Sequence, residues 1–324
     1  MQQIIIIVAA IALGLTTGAL TGGFAFSSAV CLVAGIFLVT PSLFKFHIKD
    51  FAMVKNHLPA FGKNLWINYL LLTTVALAIG YASQDIGIAG ALFLLALLPG
   101  GGMVMMWIKS SKANVKLGFI IFMLNLALLL PVAIIFSQYF TLASPFFPPV
   151  DLSTVGAAEA GAGISPVGPF MILIVIPFIL SRIILKFFPK LVELTGKHQQ
   201  LISKATMFGI VFYLFALSTA QLLFDVSLMD LVKAFIATAV FYAIVVVVAI
   251  TFTDRSPDGK AVFWHIATRY ITLALILAVF SVDTFGATFI LPIMFAYFIQ
   301  IGGAGFLRQW QLKSGGTTAA VAAE

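Results

Sequence analysis

The chain has 324 residues, 62% of them hydrophobic and 9% charged, with a net charge of +7. With a mean hydropathy of +1.14, this composition excludes an ordinary soluble domain and fits a polytopic helical membrane protein. The positive charge therefore reads as a cytoplasmic loop bias rather than as a nucleic-acid footprint. Cys31 is the single cysteine, so no disulfide can form within the chain. Met1-Gln2-Gln3 offers no positive side chain ahead of the first apolar run, which argues against a cleaved signal peptide.

A helix needs about 20 apolar residues to cross a bilayer. Spans are predicted at 3–21, 24–44, 66–83, 87–108, 115–140, 169–189, 205–225, 230–252, 261–281 and 284–305. Lysines and arginines fall after every second span: Lys45, Lys49, Lys55 and Lys63, then Lys109, Lys112 and Lys116. Arg182 to Lys204, Arg255 with Lys260, and Arg308 with Lys313 continue the pattern. The opposite loops carry Asp85, Asp151, Glu159, Asp225 and Asp283 instead. The positive-inside rule then predicts ten spans with both termini cytoplasmic, in the manner of an integral bacterial inner-membrane protein. The loop 141–168 is rich in Pro, Ser, Ala and Gly and splits the spans five and five. The expected organisation is a first five-helix repeat over 1–140, an external linker over 141–168, a second repeat over 169–308 and a mobile tail over 309–324. Two repeats of opposite orientation are common in secondary transporters.

The fourth span contains Leu98-Pro99-Gly100-Gly101-Gly102-Met103 at its centre. Pro99 lacks an N–H and clashes with the preceding turn, and the glycines do not hold a helix. Backbone freed in this way is tolerated in a membrane only where protein or a watery cavity satisfies it, so a broken span points to a binding site. Met103, Met105 and Met106 read as adaptable packing. In the ninth span His265, Thr268, Arg269 and Thr272 are spaced i, i+3, i+4 and i+7, one face of a regular helix. Arg269 lies well inside the span, where an arginine costs at least about 2.5 kcal/mol on insertion scales and needs a partner. No Asp or Glu lies deep in any span. Carbonyls, water or a bound anion remain as partners, against a purely structural role in capping a helix break or snorkelling to the cytoplasm. His265, near the cytoplasmic end, reads as interfacial or structural, with pH sensitivity chemically available. Asn125, at mid-membrane in the fifth span, reads as helix–helix glue or a site residue. Asn68, Tyr69, Thr73, Thr74, Ser218, Thr219 and Gln221 are further polar positions, and Lys233 is placed to pair with Asp230. Phosphate-binding glycine loops before a lysine, His-Glu-x-x-His, Cys-x-x-Cys and Gly-x-Ser-x-Gly are all absent from the sequence, so no enzyme is expected.

Pro99-Gly100-Gly101, followed by a lysine-rich turn and another span, resembles the fourth and fifth helices of the bile acid:sodium symporter family. Met103-Val104, Trp107 and Asn125 are similar to the arsenite-permease version of that layout, and Leu273-Ala274-Leu275 resembles the ending of the family's ninth helix. The resemblance implies an all-α fold of ten transmembrane helices in two inverted repeats. Helices four and nine would be broken and would cross, bringing Gly100, Gly101 and Gly102 close to Thr268–Tyr270 with substrate beside them. The departures bear on coupling. Where sodium-coupled members carry Ser-Asn after Pro-Gly-Gly, this chain has Val104-Met105; His265 stands at the family's Glu and Tyr270 at its Asn. Val and Met side chains do not ligate a hard cation. The cysteine of the arsenite permeases is replaced by Leu98 or Pro99. The resulting expectation is a secondary transporter moving a small organic anion by alternating access. Gly100, Gly101, Gly102, Asn125, His265, Thr268, Arg269 and Thr272 would line its site, with no metal, no cofactor and no sodium at the usual positions. The alternative is a non-transporting membrane sensor or interaction subunit that keeps the fold.

Overall fold

The structure is a computed structural model and describes residues 2–23, 27–44, 54–55, 57–101, 103–148, 167–224 and 226–313. It is all-helical. Helix α1 (Gln2–Thr21) and α2 (Ser28–Leu43) come first. Next is a continuous rod, α3 (Leu58–Leu65), a π-helical stretch (Trp66–Leu71) and α4 (Leu72–Ser83). Helices α5 (Ile86–Leu97) and α6 (Val104–Ser110) follow, then α7 (Val115–Ala127) and α8 (Leu129–Ala143). The second half holds α9 (Val167–Phe187), α10 (Pro189–Phe224), α11 (Leu228–Phe252), α12 (Pro257–Ala267), α13 (Ile271–Val279), the short α14 (Val282–Phe285) and α15 (Ile290–Lys313). Among the described residues four helical stretches are long and apolar enough to cross a membrane: Leu58–Ser83, Leu129–Phe146, Leu228–Phe252 and Ala287–Leu312. Their outward faces carry Leu70, Ile134, Val247 and Phe306, all exposed, as a lipid-facing surface requires.

Several predicted boundaries move. The third span begins at Leu58, not 66, because Pro59 sits in the first turn, where its missing N–H costs nothing. Lys63 is therefore a helical residue with an exposed side chain, and Phe61 and Asn64 beside it are buried. The fifth span divides at Leu128: Pro131 cannot donate to the turn before it, so α7 stops and α8 restarts. The seventh extends back to Pro189, which puts Lys190, Lys197 and Lys204 on a helix. The last helix reaches Lys313, so 309–313 are not tail; 314–324 lie outside the described residues, as do 149–166 of the predicted linker. Asp230 bonds Ser227, the N-cap of α11, through a 2.7 Å hydroxyl contact.

Small residues bring the helices together. A Cβ on Gly18 would lie 2.5 Å from the Ala216 carbonyl oxygen, so α1 and α10 touch backbone to backbone there. Such contacts replace the hydrophobic drive that lipid removes. Helix α5 is buried along its entire length, which makes it the axis of the molecule. Its outer end is tied by Asp85, which caps Ile88 N at 3.0 Å and accepts from Thr288 Oγ1 at 2.8 Å. The outer end of α12 is tied by Asp258, 3.1 Å from His57 Nδ1 and 2.8 Å from Asn114 Nδ2.

Candidate functional site

The two broken stretches meet in the core. Helix α5 stops at Leu97 and α6 begins at Val104; α12 stops at Ala267 and α13 begins at Ile271. Between them, Pro99 and Arg269 form an antiparallel bridge. Gly100 N donates to Thr268 O at 2.9 Å and Tyr270 N donates to Leu98 O at 2.8 Å. Each break thus satisfies backbone groups that the other has lost, as buried peptide groups demand.

Glycine is needed on one side of this bridge. Gly100 has φ +75° and Gly101 φ +133°, and Cβ atoms there would lie 2.8 Å from His265 Nδ1 and 2.9 Å from Tyr270 Cα. Gly102 lies outside the described residues. On the other side Thr268 is extended, with φ −119° and ψ 151°. Because helix α12 ends there, His265, Thr268, Arg269 and Thr272 do not share one helical face as their spacing predicts. Thr268 Oγ1 bonds back to Trp264 O at 2.6 Å, and Thr272 Oγ1 accepts from the Tyr297 hydroxyl at 2.7 Å.

Arg269 is 2% exposed. Its Nη1 donates to Asn68 Oδ1 at 2.8 Å and to Ala96 O at 3.4 Å, and its Nη2 to Ile266 O at 3.0 Å. The guanidinium carbon stands 5.9 Å from the Phe241 ring centroid, a favourable place for a cation. Its Nε has no acceptor among the described residues. No described carboxylate is in salt-bridge contact with it. The backbone at this point is held by Gln300, which the sequence reading passes over. Gln300 Oε1 accepts from Arg269 N at 2.6 Å and from the Tyr242 hydroxyl at 3.2 Å, and its Nε2 donates to Arg269 O at 3.2 Å. One amide therefore saturates the peptide edge that faces away from the first break.

His265 is fully buried within the protein, because α12 begins at Pro257 and carries it two turns inward. Its Nε2 lies 2.8 Å from Gly118 O and its Nδ1 3.5 Å from Asn125 Nδ2. Asn125 Oδ1 accepts from Asn64 Nδ2 at 3.0 Å, and Asn64 Oδ1 from Asn68 Nδ2 at 3.0 Å. Asn64 and Asn68, four residues apart, share one face where α3 passes into the π-helical stretch, and Thr73 Oγ1 bonds the Asn68 carbonyl at 3.2 Å. Asn64 is the second residue the sequence reading misses. Trp107 stacks on Trp264 with centroids 5.5 Å apart, closing the site on the α6 side. Among the described residues no group of three or more His, Cys, Asp or Glu is placed to hold a metal ion.

No family model and no curated protein matches the chain.

Proposed function

We propose that the protein is a secondary transporter that moves a small organic anion across the bacterial inner membrane by alternating access. In this reading it has the ten-span inverted-repeat architecture of the bile acid:sodium symporter superfamily, with both termini cytoplasmic. The observation that carries the proposal is Arg269: a buried guanidinium at the crossing of two broken helices, with no carboxylate partner and no acceptor for its Nε–H among the described residues. A carboxylate presents two acceptor oxygens to a guanidinium edge, the geometry such a group binds best. The start of α13 lies beside it and adds the partial positive charge of a helix N-terminus.

The order of elements supports the architecture. A long rod, a broken helix and a following long segment occur as 58–83, 86–110 and 115–143, and recur as 228–252, 257–279 and 290–313. Two amides near the crossing, Asn125 and Gln300, hold corresponding places, each ten residues beyond the first residue of α7 or α15. Sodium has no place in this account. Arg269 already puts a fixed cation at the crossing, and the Val104 and Met105 side chains offer no oxygen to a hard ion.

The test is a thermal-shift screen of carboxylates, phosphate and sulfate on the purified protein, with and without sodium. A ligand of the folded state raises Tm. Carboxylates are expected to stabilise the wild type equally with and without sodium and to leave Arg269→Gln unmoved. Stabilisation that requires sodium, or that persists in Arg269→Gln, contradicts the proposal.

A further inference from the structure

Arg269 and His265 are the two ends of one hydrogen-bond chain, and the chemistry of those ends fixes its direction. A guanidinium only donates and a carbonyl oxygen only accepts. Starting from Arg269, Nη1 donates to Asn68 Oδ1, Asn68 Nδ2 to Asn64 Oδ1, Asn64 Nδ2 to Asn125 Oδ1, and Asn125 Nδ2 to His265 Nδ1. The His265 ring closes the chain by donating Nε2–H to Gly118 O. Every link points the same way, and Asn68 Nδ2 reinforces it by also donating to Asn64 O at 3.0 Å. His265 is thereby held as the Nε2–H tautomer, with the Nδ1 lone pair as acceptor.

A proton added to that lone pair turns Nδ1 into a donor. Asn125 must then turn its oxygen toward the ring, Asn64 must turn in response, and Asn68 after it. The turned Asn68 would point its amide N–H groups at Arg269, which has no lone pair to receive them. A protonated His265 and an Arg269 seated on Asn68 therefore oppose each other, since holding both leaves amide N–H groups of Asn64 and Asn68 facing each other. An anion that draws Arg269 off Asn68 removes the conflict.

We infer that His265 is the site of a coupling proton, linked through Asn68, Asn64 and Asn125 to the anion at Arg269, so that one proton enters with each anion. The inference rests on the anion-transport reading above and supplies its coupling ion. The proton comes from water on the side from which the anion enters and binds the Nδ1 lone pair; only hydrogen bonds are exchanged. The charged and titratable groups on the helices packed against α12 are Lys63 of α3, Lys109 of α6, Lys116 of α7, and Asp230, Lys233 and Tyr242 of α11; Asp258 and Lys260 lie on α12 itself, and Arg269 and Tyr270 on the break. Lys63, Lys109, Lys116 and Lys233 are exposed; Tyr69, with its hydroxyl 3.5 Å from Asn125 Oδ1, touches the chain.

The experiment uses acetate as the probe and the full-length protein in detergent. Proton uptake on binding is measured by calorimetry in buffers of different ionisation enthalpy. The wild type is expected to take up about one proton per acetate, so that affinity falls up to about tenfold per unit rise in pH, by reciprocal linkage. Asn64→Leu cuts the chain but leaves both ends in place; it should still bind acetate, with no proton taken up. His265→Gln, which removes the proton's acceptor, should take up no proton. Ring ¹⁵N spectra without ligand, with the His265 signal assigned from His265→Gln, should show the Nε2–H tautomer in the wild type. An Nδ1–H tautomer overturns the chain whatever acetate does. Acetate binding without proton uptake, or uptake that survives in Asn64→Leu, overturns the coupling while leaving the anion site intact. Absence of acetate binding in the wild type overturns the anion site, and the coupling with it.

Discussion

The two helix breaks solve one backbone problem with opposite chemistry. The first, around Pro99, removes side chains: Gly100 and Gly101 take positive φ and let the second break lie against bare backbone. The second, around Arg269, stays at negative φ, open to any residue, and uses the space for Thr268, Arg269 and Tyr270. One break supplies room and the other supplies charge. Neither is self-sufficient, since the peptide groups of each are satisfied by the other and by Gln300. Two breaks facing each other therefore cost less than either alone, and the crossing is stable enough to carry an arginine.

The largest effect is expected where room is taken away. Gly101→Ala puts a Cβ against the Tyr270 backbone at φ +133°; the strain alone costs about 1–3 kcal/mol. The folded yield and Tm should fall sharply. Thr268→Ala on the opposite strand loses only a back-bond to Trp264 and should cost well under half as much. Equal losses in the two variants would end the distinction between the breaks.

Gln300→Leu comes next. It leaves the N–H and C=O of Arg269 unpaired in the core, at about 1–3 kcal/mol for each buried group left unsatisfied. Gln300→Glu, which keeps the acceptor and loses the donor, should recover part of the loss in a thermal melt. The outer ends of the two broken helices give a smaller contrast. Asp258→Asn weakens a half-exposed pair with His57, worth about 0–1 kcal/mol. Asp85→Ala removes the cap of α5 and its tie to Thr288, at about 1 kcal/mol. Denaturant melts should rank Asp85→Ala as the more damaging of the two.

The smallest effect concerns the turn before α12. Hydrogen bonds from the Ser256 hydroxyl and N–H hold the Asp254 carboxyl below its usual range. A lowered folded-state pKa means a stabilisation present above the ordinary carboxylate range and lost as the pH falls through the lowered value. Asp254→Asn should therefore be slightly less stable than wild type at neutral pH, and the difference should vanish in acid. A difference that grows in acid would reverse the sign.

Much of the crossing was legible in the residues. Pro99-Gly100-Gly101 announces a break by its backbone chemistry, and Arg269 announces a partner by its cost in a membrane. The regular spacing of His265, Thr268, Arg269 and Thr272 misled, because periodicity assumes a helix that the bridge to Pro99 interrupts. Asn64 was hidden among lysines that resemble a loop, although Pro59, five residues before it, already offers a helix start. Gln300 is a lone amide in the apolar run Phe298-Ile299-Gln300-Ile301. Its partner is a backbone group freed by a break 31 residues earlier, which no local pattern records. The one available signal was its match in position to Asn125.

The central claim is that the crossing binds and moves an anion without sodium. Uptake of ¹⁴C-acetate and larger ¹⁴C-carboxylates into proteoliposomes tests it most directly, with and without a sodium gradient, in wild type and Arg269→Gln. The account predicts uptake of at least one carboxylate by the wild type, indifferent to sodium and abolished in Arg269→Gln. Uptake that depends on sodium, or that survives the loss of Arg269 in a folded protein, would contradict it.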